Sequence, residues 1–375
     1  MFQPSVPEKY VRLSDDELAQ RIAACKERLG GRVCILGHHY QRDPVIQFAD
    51  FTGDSLKLSQ QAADQDEAEF IVFCGVHFMA ESADILSSDR QTVCLPNIQA
   101  GCAMADMADA SAVTAALEEL AELTDAKVVP ITYVNSSAAD KAITARADGA
   151  CCTSSNVRNV FQWALQPAGG GGAGADKILA IPDEHLGRNT AAALGFEEKA
   201  CAVYDPHLPQ GGLSAADVEA ATFILWKGYC HVHQVFTVEQ VDRVRADRPD
   251  IRVIVHSECT REVVAAADAS GSTSQIIQAI SEAQPGSQWA VGTEANLVNR
   301  LAQRHTDRFI RLLSDRPATC WQMGKIDLLH LLWVLDGLVA GEIINPVTVP
   351  ADIAADARIA LQRMLDIKAA TGLTQ

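Results

Sequence analysis

The sequence predicts an α/β protein made of three small parallel-sheet domains that face one shared centre. Two observations predict it. Short β-branched runs alternate with amphipathic helical stretches, the pattern of parallel α/β units, and the runs fall into three sets of three with a similar polar cluster after each corresponding run. Ligands of open parallel sheets bind beyond the carboxyl ends of the strands, so these clusters fall where a site belongs.

The elements follow in order. Ser14 and Glu17 form a capping-box pattern that starts a helix ending at Gly30-Gly31. The first set of strands is Arg32 to Gly37, Glu69 to Gly75 and Gln91 to Asn97; the second is Lys127 to Val134, Gly149 to Ser154 and Lys177 to Asp183; the third is Arg252 to Ser257, Ala269 to Ser274 and Gln288 to Thr293. The first strand of each set ends in GHHY, TYVNS or HSEC, and the second in a small or hydroxyl-bearing turn: CGVH, CTSS or GSTS. AGGGGAGA, Ala168 to Ala175, reads as a flexible surface insertion, and the chain from Arg311 onward as mostly helical. The expected division is a helical segment 1–31, α/β domains 32–121, 122–210 (with the insertion 168–175) and 211–310, and a helical tail 311–375.

Composition narrows the function. The 375 residues carry 31 Lys+Arg against 48 Asp+Glu, a formal net charge of −17, and show no clustered basic surface for phosphate backbones, so nucleic acid is excluded as a partner. No basic leader with an apolar run opens the sequence, and the apolar run Leu328 to Ala340 is too short to span a bilayer and contains His330 and Asp336. The expectation is a cytoplasmic protein without a membrane partner, its 11 cysteines reduced. No C-x-x-C pair occurs, which excludes zinc-finger and thioredoxin-like motifs.

Cys25, Cys34, Cys74, Cys94, Cys201 and at least one of the Cys151-Cys152 pair read as core residues. Cys102, Cys230 and Cys320 differ, because each lies in a turn or helix start in a separate third of the chain. Three thiolates converging from three domains suit an iron–sulfur cluster with one iron left open to act as a Lewis acid. A rival reading uses His38-His39, His231, His233, His256 and Glu258 as zinc ligands in a hydrolase, although no HExxH-type pair is present. GSTS (Gly271 to Ser274), CTSSN (Cys152 to Asn156) and TGDS (Thr52 to Ser55) offer hydroxyls and backbone N–H groups at helix starts, so the ligand is a small polyanion held mostly by neutral donors.

Taken together, GHHYQRDPVIQFADFTGDSLKLSQQA, AGCAMADM, TYVNSSA, CTSSN, HSEC, GSTSQII, GTEANLV and ATCWQMGKIDLLHLL resemble, in order, the motifs of the quinolinate synthase (NadA) family, over about Val33 to Leu338. The resemblance implies three α/β domains in a pseudo-threefold triangle around a [4Fe–4S] cluster, with Cys102, Cys230 and Cys320 as its three ligands, one iron open and the tail closing on the cluster. It implies condensation of iminoaspartate with dihydroxyacetone phosphate to quinolinate, in NAD biosynthesis, with an L-aspartate oxidase supplying the imine. By the same resemblance Tyr40, His38, His256 and Glu258 are catalytic, and substrate is bound by His38, Ser55, Tyr133, Asn135, Ser154, His256, Glu258, Ser272 and Thr273. This chain has HSEC where the family commonly has HPEC, and Cys320 stands alone where some members have C-x-x-C-x-x-C. A cluster-dependent hydro-lyase and a non-enzymatic iron–sulfur sensor are the competing readings; the GSTS turn, as a phosphate cradle, favours the condensing enzyme over the hydro-lyase.

Overall fold

A computed structural model describes residues 3–65 and 67–367. The outer ends of the expected N-terminal segment and tail, residues 1–2 and 368–375, lie outside the described residues.

The strands are β1 (Val33–His38), β2 (Phe51–Gly53), β3 (Phe70–Cys74), β4 (Thr92–Cys94), β5 (Val128–Tyr133), β6 (Ala150–Cys152), β7 (Lys177–Ile181), β8 (Cys201–Tyr204), β9 (Phe223–Trp226), β10 (Arg252–His256), β11 (Ala269–Gly271), β12 (Gln288–Gly292), β13 (Phe309–Leu312) and β14 (Pro346–Val347). They form three sheets, ordered β14-β4-β3-β1-β2, β6-β5-β7-β9-β8 and β11-β10-β12-β13. Apart from the antiparallel pair β14 and β4, the pairings are parallel. Such strands are covered on both faces, which explains fully buried runs such as VCILGH in β1 and KILAI in β7.

Each sheet contains the same core of four parallel strands, in which the first strand in the chain sits between the second and the third, and a later one, β4, β9 or β13, completes the core as the fourth strand beyond the third; in the middle sheet β8 adds to the outer edge of β9. The register repeats as well. His38 lies opposite Gly53, Tyr133 opposite Cys152 and His256 opposite Gly271. The next N–H closes each pair: His39 N donates to Gly53 O at 3.1 Å, Val134 N to Cys152 O at 2.8 Å and Ser257 N to Gly271 O at 3.1 Å. The following helices begin at Asp43, Ala138 and Arg261, each five residues past its strand end.

The nine strands expected from the sequence are present. The middle sheet, however, runs past the expected boundary at 210/211, because the buried run FILW of β9 supplies its fourth strand, and β13 crosses the boundary at 310/311. Neither run alternates, so neither signals a half-buried strand. The tail contributes β14 as well as helices. AGGGGAGA is also more ordered than a flexible insertion. It folds back on the helix Val157–Leu165, whose Trp163 Nε1 donates to Gly171 O at 3.1 Å, and a Cβ at Gly172 would stand 2.2 Å from Gln166 O.

The chain forms two compact units, residues 1–102 with 320–351 and residues 103–319 with 352–375. In the first, which holds the β1 sheet, the helix Asp15–Leu29 packs on the helix Leu328–Ala340 through Leu18, Ile22, Cys25 and Leu29 on one side and the buried Leu331, Leu332, Leu335 and Leu338 on the other. The one acid on that apolar helix, Asp336, is answered by Tyr10 Oη at 2.7 Å and Arg21 Nη2 at 3.1 Å. No described helix is long and apolar enough to cross a membrane. The second unit holds the β5 and β10 sheets and the helix Ala351–Asp366, which is pinned by Arg363 Nη1 to Gly149 O (2.5 Å) and by Asn156 Nδ2 to Met364 O (3.0 Å). Leu332→Ala is expected to lower stability by about 3 kcal/mol through an unfilled cavity in the first unit, read as a lower urea midpoint at unchanged slope.

Candidate active site

The residues predicted from the sequence fall on three equivalent positions of the repeated sheet. The last residue of the first strand is His38, Tyr133 or His256; two residues further on stands Tyr40, Asn135 or Glu258; two residues past the second strand stands Ser55, Ser154 or Thr273. All lie at the carboxyl ends of parallel strands, where side chains converge on a ligand. His38, Tyr40 and Ser55 belong to the first unit; the other residues belong to the second.

In the first unit, the chain turns after His38, so Tyr40 meets His38 across a turn and not along an extended strand. Tyr40 N donates to His38 Nδ1 at 3.2 Å, and the two rings meet edge-on at 4.7 Å between centroids. That contact makes Nδ1 the acceptor and leaves Nε2 to carry the ring proton. Ser55 is half-buried at the start of the helix Ser55–Ala63, whose N-cap is Asp54.

The same turn in the second unit has Glu258 N donating to His256 Nδ1 at 3.2 Å. Glu258 is 2% exposed, and its Oε2 lies 2.7 Å from His233 Nδ1 and 3.8 Å from His256 Nδ1; the two imidazoles stack at 4.3 Å and 9°. Burial pushes the Glu258 carboxyl up, but His256, His233 and the Tyr133 hydroxyl together outweigh it and hold the group below the usual carboxylate range. Its Oε1 is buried with no hydrogen-bond partner among the described residues. Asp183, beyond the end of β7, goes the other way: burial first and the Glu258 charge second push it well above the ordinary value, even though it accepts backbone N–H groups of Leu186, His185 and Cys230. Two neighbouring carboxyls are thus displaced in opposite directions, so Glu258 carries the charge and Asp183 is held toward its neutral form.

His233 and Asp183 were not among the predicted catalytic or substrate-binding residues. His233 stood only in the rival zinc reading; its place three residues after Cys230 was the available signal. Asp183 was read only as the end of a strand; it caps the helix Glu184–Ala193, accepting Leu186 N at 2.7 Å.

Ser272, fully buried, caps the helix Thr273–Glu282 by accepting Gln275 N at 3.3 Å, and it also accepts the Ser155 hydroxyl at 2.9 Å. Its own proton is left to donate. Asn156 of CTSSN serves the chain itself by holding the C-terminal helix. Asn135 is half-buried with its Oδ1 unpartnered.

The cysteines divide sharply. Cys102, Cys230 and Cys320 each follow the fourth strand of a repeat, β4, β9 or β13. Each stands three residues before a three-residue 3-10 turn (Ala105–Met107, His233–Val235, Met323–Lys325) and seven before a helix N-cap (Asp109, Thr237, Asp327). The sixth residue after each, Ala108, Phe236 or Ile326, is buried and anchors the turn. No other cysteine has this surrounding. Burial pushes Cys34, Cys74, Cys94 and Cys151 up to about 12, Cys152 and Cys259 well above their ordinary value, and Cys25 and Cys201 upward. Those eight thiols are poor thiolate donors. The half-buried Cys102, Cys230 and Cys320, on equivalent turns, are the set whose chemistry fits a cluster held by three thiolates.

Neighbouring segments brace these turns. In the first unit Lys325 Nζ donates to Gln99 O (2.8 Å) and Asn97 Nδ2 to Lys325 O (3.3 Å), tying the approach to Cys102 to the turn after Cys320. In the second, Trp226 Nε1 donates to Met107 O at 2.8 Å. Cys230, His233 and Glu258 present donor atoms within 4.8 Å of one another. The 2.7 Å contact of His233 with Glu258 is a hydrogen-bond distance, shorter than two ligands on one tetrahedral zinc would keep, so a zinc site is the poorer fit.

A family model described as quinolinate synthetase A protein matches residues 20–366. The chain is 51% identical over 362 residues to a quinolinate synthase of Geobacillus kaustophilus, covering 96% of each chain. It is 48% identical to the quinolinate synthase of Corynebacterium glutamicum (99% of this chain, 93% of that one) and 51% identical to that of Streptomyces coelicolor (94% and 89%).

Ser272→Ala removes a helix cap and the acceptor of Ser155 together, and is expected to cost about 1 kcal/mol of stability, measured by urea unfolding.

Proposed function

The chain belongs to the quinolinate synthetase A family and is an enzyme of NAD biosynthesis that makes quinolinate, and on that premise we propose how its own residues do so. The substrates are iminoaspartate and dihydroxyacetone phosphate, and phosphate and water leave. In this reading an L-aspartate oxidase supplies the imine, and the enzyme works in the cytoplasm.

Cys102, Cys230 and Cys320 would hold a [4Fe–4S] cluster with one iron open. When bound, that iron supplies Lewis acidity to a carboxylate or hydroxyl. The equivalent turns that carry the three cysteines support this ligand set.

Glu258 acts as the base. Its ionised carboxylate faces His233 and His256 and keeps Oε1 without a partner among the described residues. The two imidazoles favour the ionised form, so a proton taken at Oε1 from the carbon or nitrogen of the condensing pair is readily given up again. The protonated Asp183 nearby keeps a second negative charge out of the same buried space. His38 with Tyr40 holds the triose hydroxyls and moves the proton needed to enolise them, Nε2 being the ring atom left to donate. Ser55, Tyr133, Asn135, Ser154, Ser272 and Thr273 bind carboxylates and phosphate through hydroxyl and amide hydrogens, which costs no extra buried charge.

The observation that carries the proposal is the pairing of an ionised Glu258 with two stacked histidines at the carboxyl end of β10. Anaerobically prepared protein given oxaloacetate, ammonia and dihydroxyacetone phosphate should form quinolinate. Glu258→Gln should lower kcat by 100-fold or more (roughly the general-base contribution) while retaining the brown absorbance. Full turnover in that variant removes Glu258 from the reaction.

A further inference from the structure

The three proposed cluster ligands hang on one repeated backbone bond. The residue two before each cysteine accepts the N–H of the residue three past the third strand of its repeat: His77 N donates to Ala100 O at 2.7 Å, Glu184 N to Gly228 O at 2.9 Å and Ala295 N to Ala318 O at 2.8 Å. The approach to Cys102 carries a further set of contacts, made by side chains, and His330 stands among them.

His330 is the third residue of the helix Leu328–Ala340, whose N-cap is Asp327. Asp327 Oδ1 accepts the His330 backbone N–H at 2.8 Å, which caps the helix, and lies 2.7 Å from His330 Nδ1. Burial pushes the Asp327 carboxyl up, but its bonds to the His330 ring and backbone outweigh this and hold it below the usual carboxylate range. Asp327 is therefore the acceptor, and Nδ1 carries the ring proton. Nε2 then faces Asn97 Nδ2 at 3.2 Å. Two other contacts fix the orientation of that amide: Asn97 Oδ1 accepts Gln99 N at 3.0 Å, and Nδ2 donates to Lys325 O at 3.3 Å. A flipped amide would set donor against donor and acceptor against acceptor at both. Asn97 thus presents an N–H to Nε2, and the imidazole accepts it.

These contacts close a loop. Gln99 O accepts Lys325 Nζ at 2.8 Å and Gly101 N at 2.9 Å, so the segment Asn97–Gly101 is bonded to itself and to the turn Met323–Lys325. The segment leads into Cys102, the turn begins three residues after Cys320, and all of them but for no side chain of the second unit belong to the first unit. Capping the helix needs only Asp327. An acceptor at Nε2, meeting an asparagine 233 residues away, serves the approach to Cys102 and not the helix.

We propose that His330 is a positioning residue for the cluster: its imidazole, held by Asp327, accepts from Asn97 and fixes the segment before Cys102 against the turn after Cys320. The inference rests on the quinolinate synthase reading, which gives those two cysteines to the cluster. Side chains that orient metal ligands without touching the metal govern how firmly the site holds it. Asn97 is buried, so loss of its acceptor also leaves an amide hydrogen unpaired.

The experiment follows iron release from anaerobically reconstituted holoenzyme to bathophenanthroline disulfonate with dithionite, in the wild type, His330→Asn and His330→Gln. Asparagine can place an N–H where Nδ1 stands but is too short to reach Asn97; glutamine can place a carbonyl oxygen where Nε2 stands. Release is expected to be roughly tenfold faster in His330→Asn and close to the wild-type rate in His330→Gln. A role confined to the helix start predicts the reverse order. A wild-type rate in His330→Asn, or equally fast release from both variants, overturns the proposal. Should His330→Asn fail to fold, Asn97→Ser takes its place: serine keeps an oxygen for Gln99 N and loses the amide hydrogens, so the same acceleration is expected and an unchanged rate overturns the proposal. Iron, sulfide and quinolinate formation are measured on the wild type in parallel. A wild type that takes up no cluster overturns the quinolinate synthase reading and the brace with it, whereas a loaded wild type with unresponsive variants overturns the brace alone.

Discussion

Everything at the candidate site depends on one register constraint, the pairing of the last residue of the first strand with the last residue of the second. His38 with Gly53, Tyr133 with Cys152 and His256 with Gly271 end their strands side by side, and the next backbone N–H closes each pair. A one-residue slip would turn every side chain to the opposite face. It would send Glu258 away from His233. The parallel ladder is therefore what turns scattered polar residues into groups of neighbours. The buried faces of those strands fix the register, because sliding them would expose runs such as VCILGH and RVIVH.

The repeats share a backbone plan and divide the chemistry. At the strand end and two residues on, the first carries His38 and Tyr40, the second Tyr133 and Asn135, the third His256 and Glu258. In the third repeat the buried Glu258 carboxylate is balanced by the His233 and His256 imidazoles, while the corresponding positions of the second carry the neutral Tyr133 and Asn135. The net charge of −17 sets no obstacle, since local groups decide the potential inside a buried site.

Much of this was legible beforehand. The nine core strands, the polar clusters and the special status of Cys102, Cys230 and Cys320 follow from apolar runs ending in glycine, hydroxyl or histidine. β9 was not read because a fully buried run of four residues carries no periodicity, and the partly buried FIRL of β13 does not alternate either. The glycine-rich loop looked featureless because its order comes from backbone carbonyls accepting Trp163 and Gln166 side-chain hydrogens, which composition does not reveal. His233 and Asp183 escaped for a related reason: their roles come from contacts with Glu258 and the Cys230 backbone, across long stretches of sequence.

The central claim is that the turn after the fourth strand of each repeat supplies one cluster ligand, and that no other cysteine does. Iron and sulfide per chain, measured on anaerobically reconstituted Cys102→Ala, Cys230→Ala, Cys320→Ala and Cys201→Ala proteins, test it most directly. Cys201 is the control, being likewise half-buried but in a strand. The account predicts loss of the cluster in the first three and about four iron and four sulfide in the fourth. A full complement in any of the first three, or its loss in Cys201→Ala, would contradict it.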